Sequence, residues 1–347
     1  MIDPWKVVCM QTYTTALNKS ANREDAMKIV NNSIDRWEEL IRGQARGGAK
    51  LILFPEFALQ GFPVSETAEE WIDKVCLDLP GPESERLQSL ALELNIFIGA
   101  NAYWRDPQFY GRYFNTSFLI NSSGDIILKY RRVNTAYAGS PHDFIDEYLS
   151  TIGIEGAFPV ADTELGRIAM MPCGEIMFPE AARMFMFRGA EILLHPTSDF
   201  GAADNNAWQS AKAVRASENM MFLVSANTAG IRNSNYAENE CQGRSKIFDY
   251  NGRVLSEAGM GECTRAATII DVEGLRRIRS SAGGFNRLIR NRIEMYRPVY
   301  NVTSFYPPNQ FADGPMDSNA RIKQNFELAL KKMEESNIIP KRDKTKL

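Results

Sequence analysis

The sequence is poor in histidine and has no paired-cysteine motif. Its 347 residues include two histidines and five cysteines, and no Cys-x-x-Cys spacing occurs. A structural zinc site usually draws about four such ligands from closely spaced positions, so we expect no metal centre. The odd number of cysteines leaves at least one thiol free or paired between molecules, and scattered thiols favour the cytoplasm over an oxidising compartment.

Long apolar runs and a charge excess are also missing. No run approaches the roughly 20 apolar residues that a membrane-spanning helix needs, and residues 1–5 do not begin a signal peptide. Lys and Arg total 40 against 43 Asp and Glu, which gives a net charge of −3. Without a basic face, nucleic acid and anionic membranes are poor partners.

Three familiar signatures are absent as well: the Gly-x-Ser-x-Gly nucleophile elbow, the P-loop and the glycine-rich dinucleotide turn. Instead, short apolar runs alternate with amphipathic helical patterns. Residues 24–42 carry apolar residues at steps of three and four, which predicts a helix with one buried face. Asn251-Gly252 predicts a hairpin turn. Alternating strands and helices with added hairpins predict an α/β fold with mixed sheets.

The pattern changes near residue 285. Residues 285–320 are rich in Asn, Arg, Tyr and Pro, and a polar helix is expected over residues 321–337. Such a segment has no core of its own. We therefore expect a main domain at residues 1–284 and a C-terminal extension at residues 285–347 that packs on this domain or on a neighbouring subunit.

Three apolar strands end in a residue that could carry chemistry. Glu56 follows one strand, Lys129 closes another, and Cys173 lies between a strand and a helix that begins near Pro179. Taken alone, each has an ordinary interpretation: a solvated carboxylate, a lysine with its stem along the surface, and a buried small thiol. At a bend before a helix, however, backbone N–H groups can lower a thiol pKa and bind an oxyanion.

Taken together and in order, these segments resemble the nitrilase (carbon–nitrogen hydrolase) superfamily, in its amidase or N-carbamoylase-like branch. The motifs that carry the resemblance are Phe54-Pro55-Glu56, Lys129-Tyr130-Arg131-Arg132 and the run from Cys173 to Pro179-Glu180. The resemblance implies a four-layer αββα sandwich with two mixed β-sheets. It also implies a homodimer or larger even homo-oligomer and a reaction without a metal or organic cofactor.

The resemblance further implies roles for individual residues. Cys173 is expected to be the nucleophile and Glu56 the general base. Lys129 and the backbone N–H of Gly174 are expected to stabilise the oxyanion. The implied reaction is hydrolysis of a non-peptide carbon–nitrogen bond, in a linear carboxamide or an N-carbamoyl group, through a thioester.

Two further residues are assigned by the same resemblance. Glu147 is expected to be a second site carboxylate that orients Lys129 or the substrate amine, with Asp146 and Glu155 as alternatives. Ser198 is expected to contact substrate, because Thr197-Ser198 stands where many carbamoyl-group amidases carry a polar amide. Loops 60–80, 130–160 and 198–206 are expected to shape the pocket.

The sequence departs from the family pattern at several positions. Ile176 and Met177 stand where amidases of N-carbamoyl amino acids often place arginines that bind a carboxylate. This favours a neutral or apolar substrate, unless Arg131, Arg132 or a loop arginine substitutes. Asn134 follows the lysine motif where a histidine is usual. A nitrilase, an amide-forming acyltransferase and a non-catalytic binding protein of the same fold remain alternatives.

Overall fold

A computed structural model describes residues 1–63, 66–136, 138–199, 206–262, 264–315 and 319–341. The strands are β1 (Trp5–Met10), β2 (Tyr13–Thr15), β3 (Ala49–Leu53), β4 (Phe97–Arg105), β5 (Tyr113–Ile120), β6 (Ile126–Arg131), β7 (Ala161–Thr163), β8 (Gly166–Met170), β9 (Ile192–Thr197), β10 (Phe222–Asn227), β11 (Gly230–Arg232), β12 (Lys246–Phe248), β13 (Val254–Glu257) and β14 (Arg265–Ile270). The helices are α1 (Arg23–Arg46), α2 (Ala68–Lys74), α3 (Pro82–Leu94), α4 (Ile145–Ala157), α5 (Pro179–Phe187), α6 (Asn206–Asn219), α7 (Val272–Arg279), α8 (Ile293–Val302) and α9 (Asn319–Glu335).

The strands form two large mixed sheets. One has the order β14-β1-β3-β4-β5-β6 and the other β13-β12-β10-β9-β8-β7, while β2 and β11 pair separately. The centre of each large sheet is parallel (β1-β3-β4 and β8-β9-β10), and the outer strands pair antiparallel. Crossover helices account for the parallel pairs and hairpins for the antiparallel ones, as the mixed pattern of the sequence predicts.

Alternating side chains separate two apolar layers. Val7 and Cys9 of β1 point into the core between the sheets, whereas Val8 and Met10 pack beneath the helices of the first sheet. Helices α1 and α3 cover that sheet, and α5 and α6 cover the second one. The architecture is therefore a four-layer αββα sandwich, as expected from the resemblance.

Helix α1 shows how the outer layer positions a strand end. The Asn22 side chain caps its N-terminus by accepting from the Asp25 N–H, which satisfies a backbone donor at the helix start. The buried face includes Trp37, whose ring stacks on Phe54 with centroids 3.8 Å apart. Removing a buried Trp ring costs about 3–5 kcal/mol. This contact fixes the chain two residues before Glu56.

The C-terminal segment lies partly on the main domain. Asn309 N–H donates to the His142 carbonyl at 3.2 Å, and Phe311 N–H donates to the Asp143 carbonyl at 2.9 Å. Phe311 and Ile322 are buried there. The helix expected at residues 321–337 is α9, whereas α4 and α8 lie in segments where no helix was predicted. Among the described helices, none is long and apolar enough to cross a membrane.

Candidate active site

Glu56 is the most enclosed acidic group of the site. It follows β3 and is fully buried. Its carboxylate accepts hydrogen bonds from Asn115 Nδ2 at 2.8 Å and Arg132 Nη1 at 2.9 Å on one oxygen, and from Ser198 Oγ at 2.6 Å on the other. Asn115 is itself oriented by Asn101, which donates to its side-chain oxygen at 2.7 Å. Donors from the first sheet and from the end of β9 therefore hold one carboxylate in place.

Cys173 begins a 3₁₀ turn, Cys173–Met177, that follows β8. Its φ is +47°, a left-handed conformation that costs free energy for a residue with a side chain and that is often found at functional sites. Sγ lies 3.8 Å from Ser198 Oγ. Because the Ser198 hydroxyl donates to Glu56, the thiol is the donor in this contact, so Ser198 connects Sγ to the carboxylate.

Burial, followed by the negative charge of Glu56, raises the pKa of the Cys173 thiol to about 12. The thiol is therefore protonated at neutral pH, and a base must remove its proton before it can act as a nucleophile. The Ser198 hydroxyl lies between this thiol and the Glu56 carboxylate, with contacts of 3.8 Å and 2.6 Å.

The cation that meets Glu56 is Arg132, and the expectation for Lys129 is corrected. Lys129 Nζ donates to the Leu79 carbonyl at 3.3 Å and lies 4.5 Å from the centre of the Trp104 ring. The reason is strand alternation: Leu128 and Tyr130 point into the core between the sheets, so Lys129 points to the opposite face. Arg132 follows β6 by one residue and lies on the side of Tyr130, where it meets Glu56.

The guanidinium of Arg132 is held at two points. Nη1 bonds to Glu56, and Nε donates to the Asn134 carbonyl at 2.9 Å. Burial lowers the pKa of the Arg132 guanidinium, but the negative charge of the adjacent Glu56 carboxylate outweighs the effect of burial, so the pKa is raised. Arg132 therefore remains a cation beside Cys173.

Glu175 fixes the loop that carries Arg132. One carboxylate oxygen accepts from the backbone N–H groups of Val133 at 3.0 Å and Asn134 at 2.7 Å, and from the Tyr130 hydroxyl at 3.1 Å. Glu175 is fully buried, and burial raises its pKa. Since Glu175 belongs to the turn Cys173–Met177, these hydrogen bonds connect that turn to the loop that carries Arg132.

Gly174 and Ser198 both lie at the site, whereas Glu147 does not. A Cβ on Gly174 would stand 3.0 Å from Arg132 Nη2 and 3.5 Å from the Trp208 ring, so the arginine approaches this backbone closely. Glu147 is exposed in the first turn of α4, and its expected place in the site is corrected. The helical turn points this side chain to solvent, while Tyr148 beside it is buried.

The two alternatives to Glu147 are exposed as well. The Asp146 carboxylate accepts from Asn309 Nδ2 at 2.9 Å, and Glu155 pairs with Arg188 at 3.4 Å. Both carboxylates therefore have structural partners outside the site. In the described part of the chain, the carboxylates that line the site cavity are Glu56 and Glu66, and Glu66 accepts from Asn18 Nδ2 at 2.9 Å.

These groups line a cavity of about 600 Å³ that contains Glu56, Asn115, Arg132, Cys173 and Ser198. Six aromatic side chains form much of its wall: Phe57, Phe62, Tyr103, Tyr113, Trp208 and Tyr236. Parts of all three loops expected to shape the pocket contribute, although residues 64, 65, 137 and 200–205 lie outside the described residues. Tyr236 and Lys323, which also line the cavity, lie outside those loops. Among the residues that the structure describes, no cluster of three or more metal-ligating side chains occurs.

Comparisons with known proteins identify the family of this chain. The carbon–nitrogen hydrolase family matches residues 29–280, and the chain belongs to that family. It is similar to omega-amidase NIT2 of Xenopus tropicalis, with 25% identity over 257 residues that cover 72% of this chain and 87% of the relative. It is also similar to formamidase of Bacillus thuringiensis (strain Al Hakam), with 30% identity over 210 residues, 60% of this chain and 58% of the relative. The chain thus spans little more than half of that formamidase.

Solved structures show the same fold. An amidase from Nesterenkonia sp. AN1, in a variant with the acetamide moiety of fluoroacetamide added covalently at its active-site cysteine, superposes with a TM-score of 0.61. The match covers 85% of this chain and 96% of that chain at 19% identity. Another variant of the same amidase, in complex with butyramide, gives a TM-score of 0.60 at 19% identity. This chain is therefore a carbon–nitrogen hydrolase with the αββα architecture of these amidases.

Proposed function

We propose that this protein hydrolyses the carbon–nitrogen bond of a small linear carboxamide or N-carbamoyl compound through a thioester on Cys173. The observation that carries the proposal is the convergence of Glu56, Arg132 and Cys173 in one cavity. Ser198 is hydrogen-bonded to Glu56 and contacts the sulfur of Cys173. A base, a cation and a thiol in one cavity are the groups that acyl transfer needs.

The first half of the reaction forms the thioester. The thiol proton passes through Ser198 to Glu56, and sulfur attacks the substrate carbonyl carbon. Negative charge develops on the carbonyl oxygen, where the Arg132 guanidinium and the Gly174 N–H stabilise it. Protonated Glu56 then gives its proton to the leaving nitrogen, the carbon–nitrogen bond breaks, and ammonia or an amine departs.

The second half releases the acid. Glu56, again a carboxylate, takes a proton from a water molecule that attacks the thioester carbonyl. The same two donors stabilise the second tetrahedral intermediate. When it collapses, the carbon–sulfur bond breaks and the thiol recovers its proton from Glu56. One residue thus serves as base and acid in turn, and Arg132 contributes charge without exchanging a proton.

The cavity supports a neutral amide with an apolar acyl group. Its wall is largely aromatic, and its volume lies within the range of pockets that hold molecules larger than formamide. The two named arginines that could have bound a substrate carboxylate already pair with carboxylates of the protein. Arg131 is buried against Asp106, and Arg132 is paired with Glu56. Met177 is exposed and Ile176 lies in the core.

The test is ammonia release from a panel of amides, N-carbamoyl compounds and nitriles, followed by intact-mass spectrometry of the soaked protein. We expect turnover of neutral amides and an acyl adduct on Cys173 that Cys173→Ala abolishes. Cys76→Ala is the matched control, because Cys76 is also a buried free thiol but does not line the cavity. Turnover that persists in Cys173→Ala would refute the proposal.

The same panel separates the alternatives within the superfamily. Turnover of nitriles but not amides would identify a nitrilase. Transfer of the acyl group to added hydroxylamine in preference to water would identify an acyltransferase. No turnover and no adduct on any compound would favour a non-catalytic binding protein.

We also propose a homodimer or larger even oligomer in which a second copy covers α8. Residues 294–302 are exposed, and they include Met295, Tyr296, Val299, Tyr300 and Val302. A contiguous apolar helix face is typical of protein interfaces. Residues 285–302 would then be the part of the C-terminal extension that contacts the neighbour. Sedimentation at micromolar concentration should give a dimer or larger assembly, and Val299→Asp should shift it to monomer.

A cytoplasmic location is proposed on the chemistry of the thiols. The four described cysteines, Cys9, Cys76, Cys173 and Cys241, are all free and buried. Free thiols in this number are typical of proteins in a reducing compartment. Fractionation of the source cells tests the location, and recovery from an oxidising compartment would contradict it.

A further inference from the structure

A buried histidine holds the backbone of the nucleophile. His195 lies on β9, is fully buried, and does not line the cavity. Its Nε2 is 2.9 Å from the Cys173 carbonyl oxygen, and its Nδ1 is 2.9 Å from Ser225 Oγ. A carbonyl oxygen can only accept, so Nε2 carries the proton and Nδ1 accepts from the Ser225 hydroxyl. The two contacts therefore fix one tautomer and one ring orientation.

The bond to the Cys173 carbonyl also orients the opposite edge of the same peptide. In a trans peptide the C=O and the following N–H point in opposite directions. With the carbonyl directed at His195, the N–H of Gly174 is directed away from it. Gly174 is the second residue of the 3₁₀ turn, where an N–H has no acceptor within the helix. Its α-carbon faces Arg132 and Trp208, which line the cavity.

The backbone here needs support from outside the turn. Cys173 has φ of +47°, and a residue with a side chain keeps such a conformation only when surrounding contacts enforce it. Burial, followed by the positive charge of Lys212, lowers the pKa of His195 to about 4. The ring is therefore neutral at neutral pH and keeps its single proton on the nitrogen that faces Cys173.

We propose that His195 is a positioning residue for catalysis, which turns the Cys173–Gly174 peptide so that the Gly174 N–H faces the substrate oxygen. This inference rests on the proposed thioester hydrolysis, because an oxyanion forms only in that chemistry. It assigns His195 a role in the reaction although the side chain touches neither substrate nor sulfur.

Two substitutions at one position separate the two contacts of the ring. The amide nitrogen of glutamine is as many bonds from Cβ as Nε2, so His195→Gln can still donate to the Cys173 carbonyl. The amide nitrogen of asparagine corresponds to Nδ1, so His195→Asn can reach Ser225 but not Cys173. Both variants bury an amide in the same place, so each serves as the other's control for general destabilisation.

We expect His195→Asn to lower kcat by about 100-fold, the loss that follows removal of one oxyanion donor, with KM unchanged. His195→Gln should recover most of that loss. Alkylation of Cys173 by iodoacetamide supplies a second measurement, because it needs an accessible thiol but forms no oxyanion. Its rate should be the same in both variants and in the unsubstituted protein.

Three results would overturn the inference: equal kcat in the Asn and Gln variants, a loss of alkylation that parallels the loss of hydrolysis, or full activity of His195→Asn. Failure of the underlying hydrolase proposal has a different signature, namely turnover that persists in Cys173→Ala. If Cys173→Ala abolishes turnover but His195→Asn leaves it unchanged, the positioning role of His195 is refuted and the hydrolase proposal stands.

Discussion

The buried pair of Glu56 and Arg132 supports a quantitative prediction. Their side chains are 0% and 17% exposed, and their atoms approach to 2.9 Å. Removing one partner of such a pair leaves the other charge uncompensated, which costs about 3–5 kcal/mol of unfolding free energy. We therefore expect Arg132→Gln to be destabilised by this amount. Its kcat should also fall by about 100- to 1000-fold, because an oxyanion donor is lost with the charge.

The double substitution Glu56→Gln, Arg132→Gln separates the interaction free energy of the ion pair from the individual effects of the two substitutions. Removing both charges leaves two neutral amides, so the double variant should lose less stability than the sum of the two single variants. For groups in direct contact the difference reaches about 0.5–3 kcal/mol. Activity should not return, because the base and the cation are both absent. Urea unfolding and ammonia release, measured on all four proteins, give the two quantities.

Lys129→Gln is the matched control for Arg132→Gln. It removes a positive charge from the same strand region, but the ammonium contacts Trp104 and the Leu79 carbonyl rather than Glu56. Loss of the cation–π contact costs about 0.5–1 kcal/mol at an exposed site, and we expect kcat to be unchanged. An inactive Lys129→Gln beside an active Arg132→Gln, or strictly additive unfolding free energies in the cycle, would refute this assignment of the cation.

Three further predictions concern other groups. Glu147→Gln should leave kcat and KM unchanged, since Glu147 is exposed on α4. A large loss of kcat would show instead that Glu147 takes part in the reaction. The iodoacetamide alkylation rate of Cys173 should keep rising above pH 9, because burial raises its thiol pKa to about 12, and a plateau near pH 9 would contradict this. His195 has a pKa of about 4 when folded against 6.5 as its ordinary value, so its contribution to stability is complete above pH 6.5 and is lost as pH falls toward 4. The free energy of unfolding should fall by about 3 kcal/mol over this range, at about 1.36 kcal/mol per pKa unit. Urea unfolding of His195→Gln should lack this dependence on pH.

Much of the fold follows from local patterns in the sequence. The apolar steps over residues 24–42 lie within α1, and Pro179 begins α5 as expected. Asn251-Gly252 forms the turn between β12 and β13, with Gly252 at φ of +82°. Each of these signals acts within a few residues. Helix α4 was missed because its capping and packing depend on tertiary contacts, among them the buried Tyr148.

The site residues also differ in whether local patterns in the sequence predict them. Glu56 and Cys173 follow from apolar runs that end in a polar residue, but choosing between Lys129 and Arg132 needs the orientation of β6. The sequence does not give this orientation, because Ile126, Ile127 and Leu128 are apolar in a row. The structure shows it, since Leu128 and Tyr130 lie in the core between the sheets. Asn115 has no comparable signal, and Glu175 stands within the motif of Cys173, but nothing in the sequence indicates its partners. Their roles arise from hydrogen bonds that join distant segments, 59 residues apart for Asn115 and Glu56.

An arginine in place of an amine changes what the site cation can do. A lysine beside a carboxylate can exchange a proton with it, and its pKa shifts readily on burial, whereas a guanidinium stays protonated throughout. Every proton that moves in the proposed reaction must therefore travel between the thiol, Ser198, Glu56, the leaving nitrogen and water. The planar fork of Arg132 is also anchored, by Nε on the Asn134 carbonyl and Nη1 on Glu56. Because Glu175 accepts from the Asn134 N–H and belongs to the turn of Cys173, one carboxylate links the backbone that anchors Arg132 to the turn that carries the proposed nucleophile.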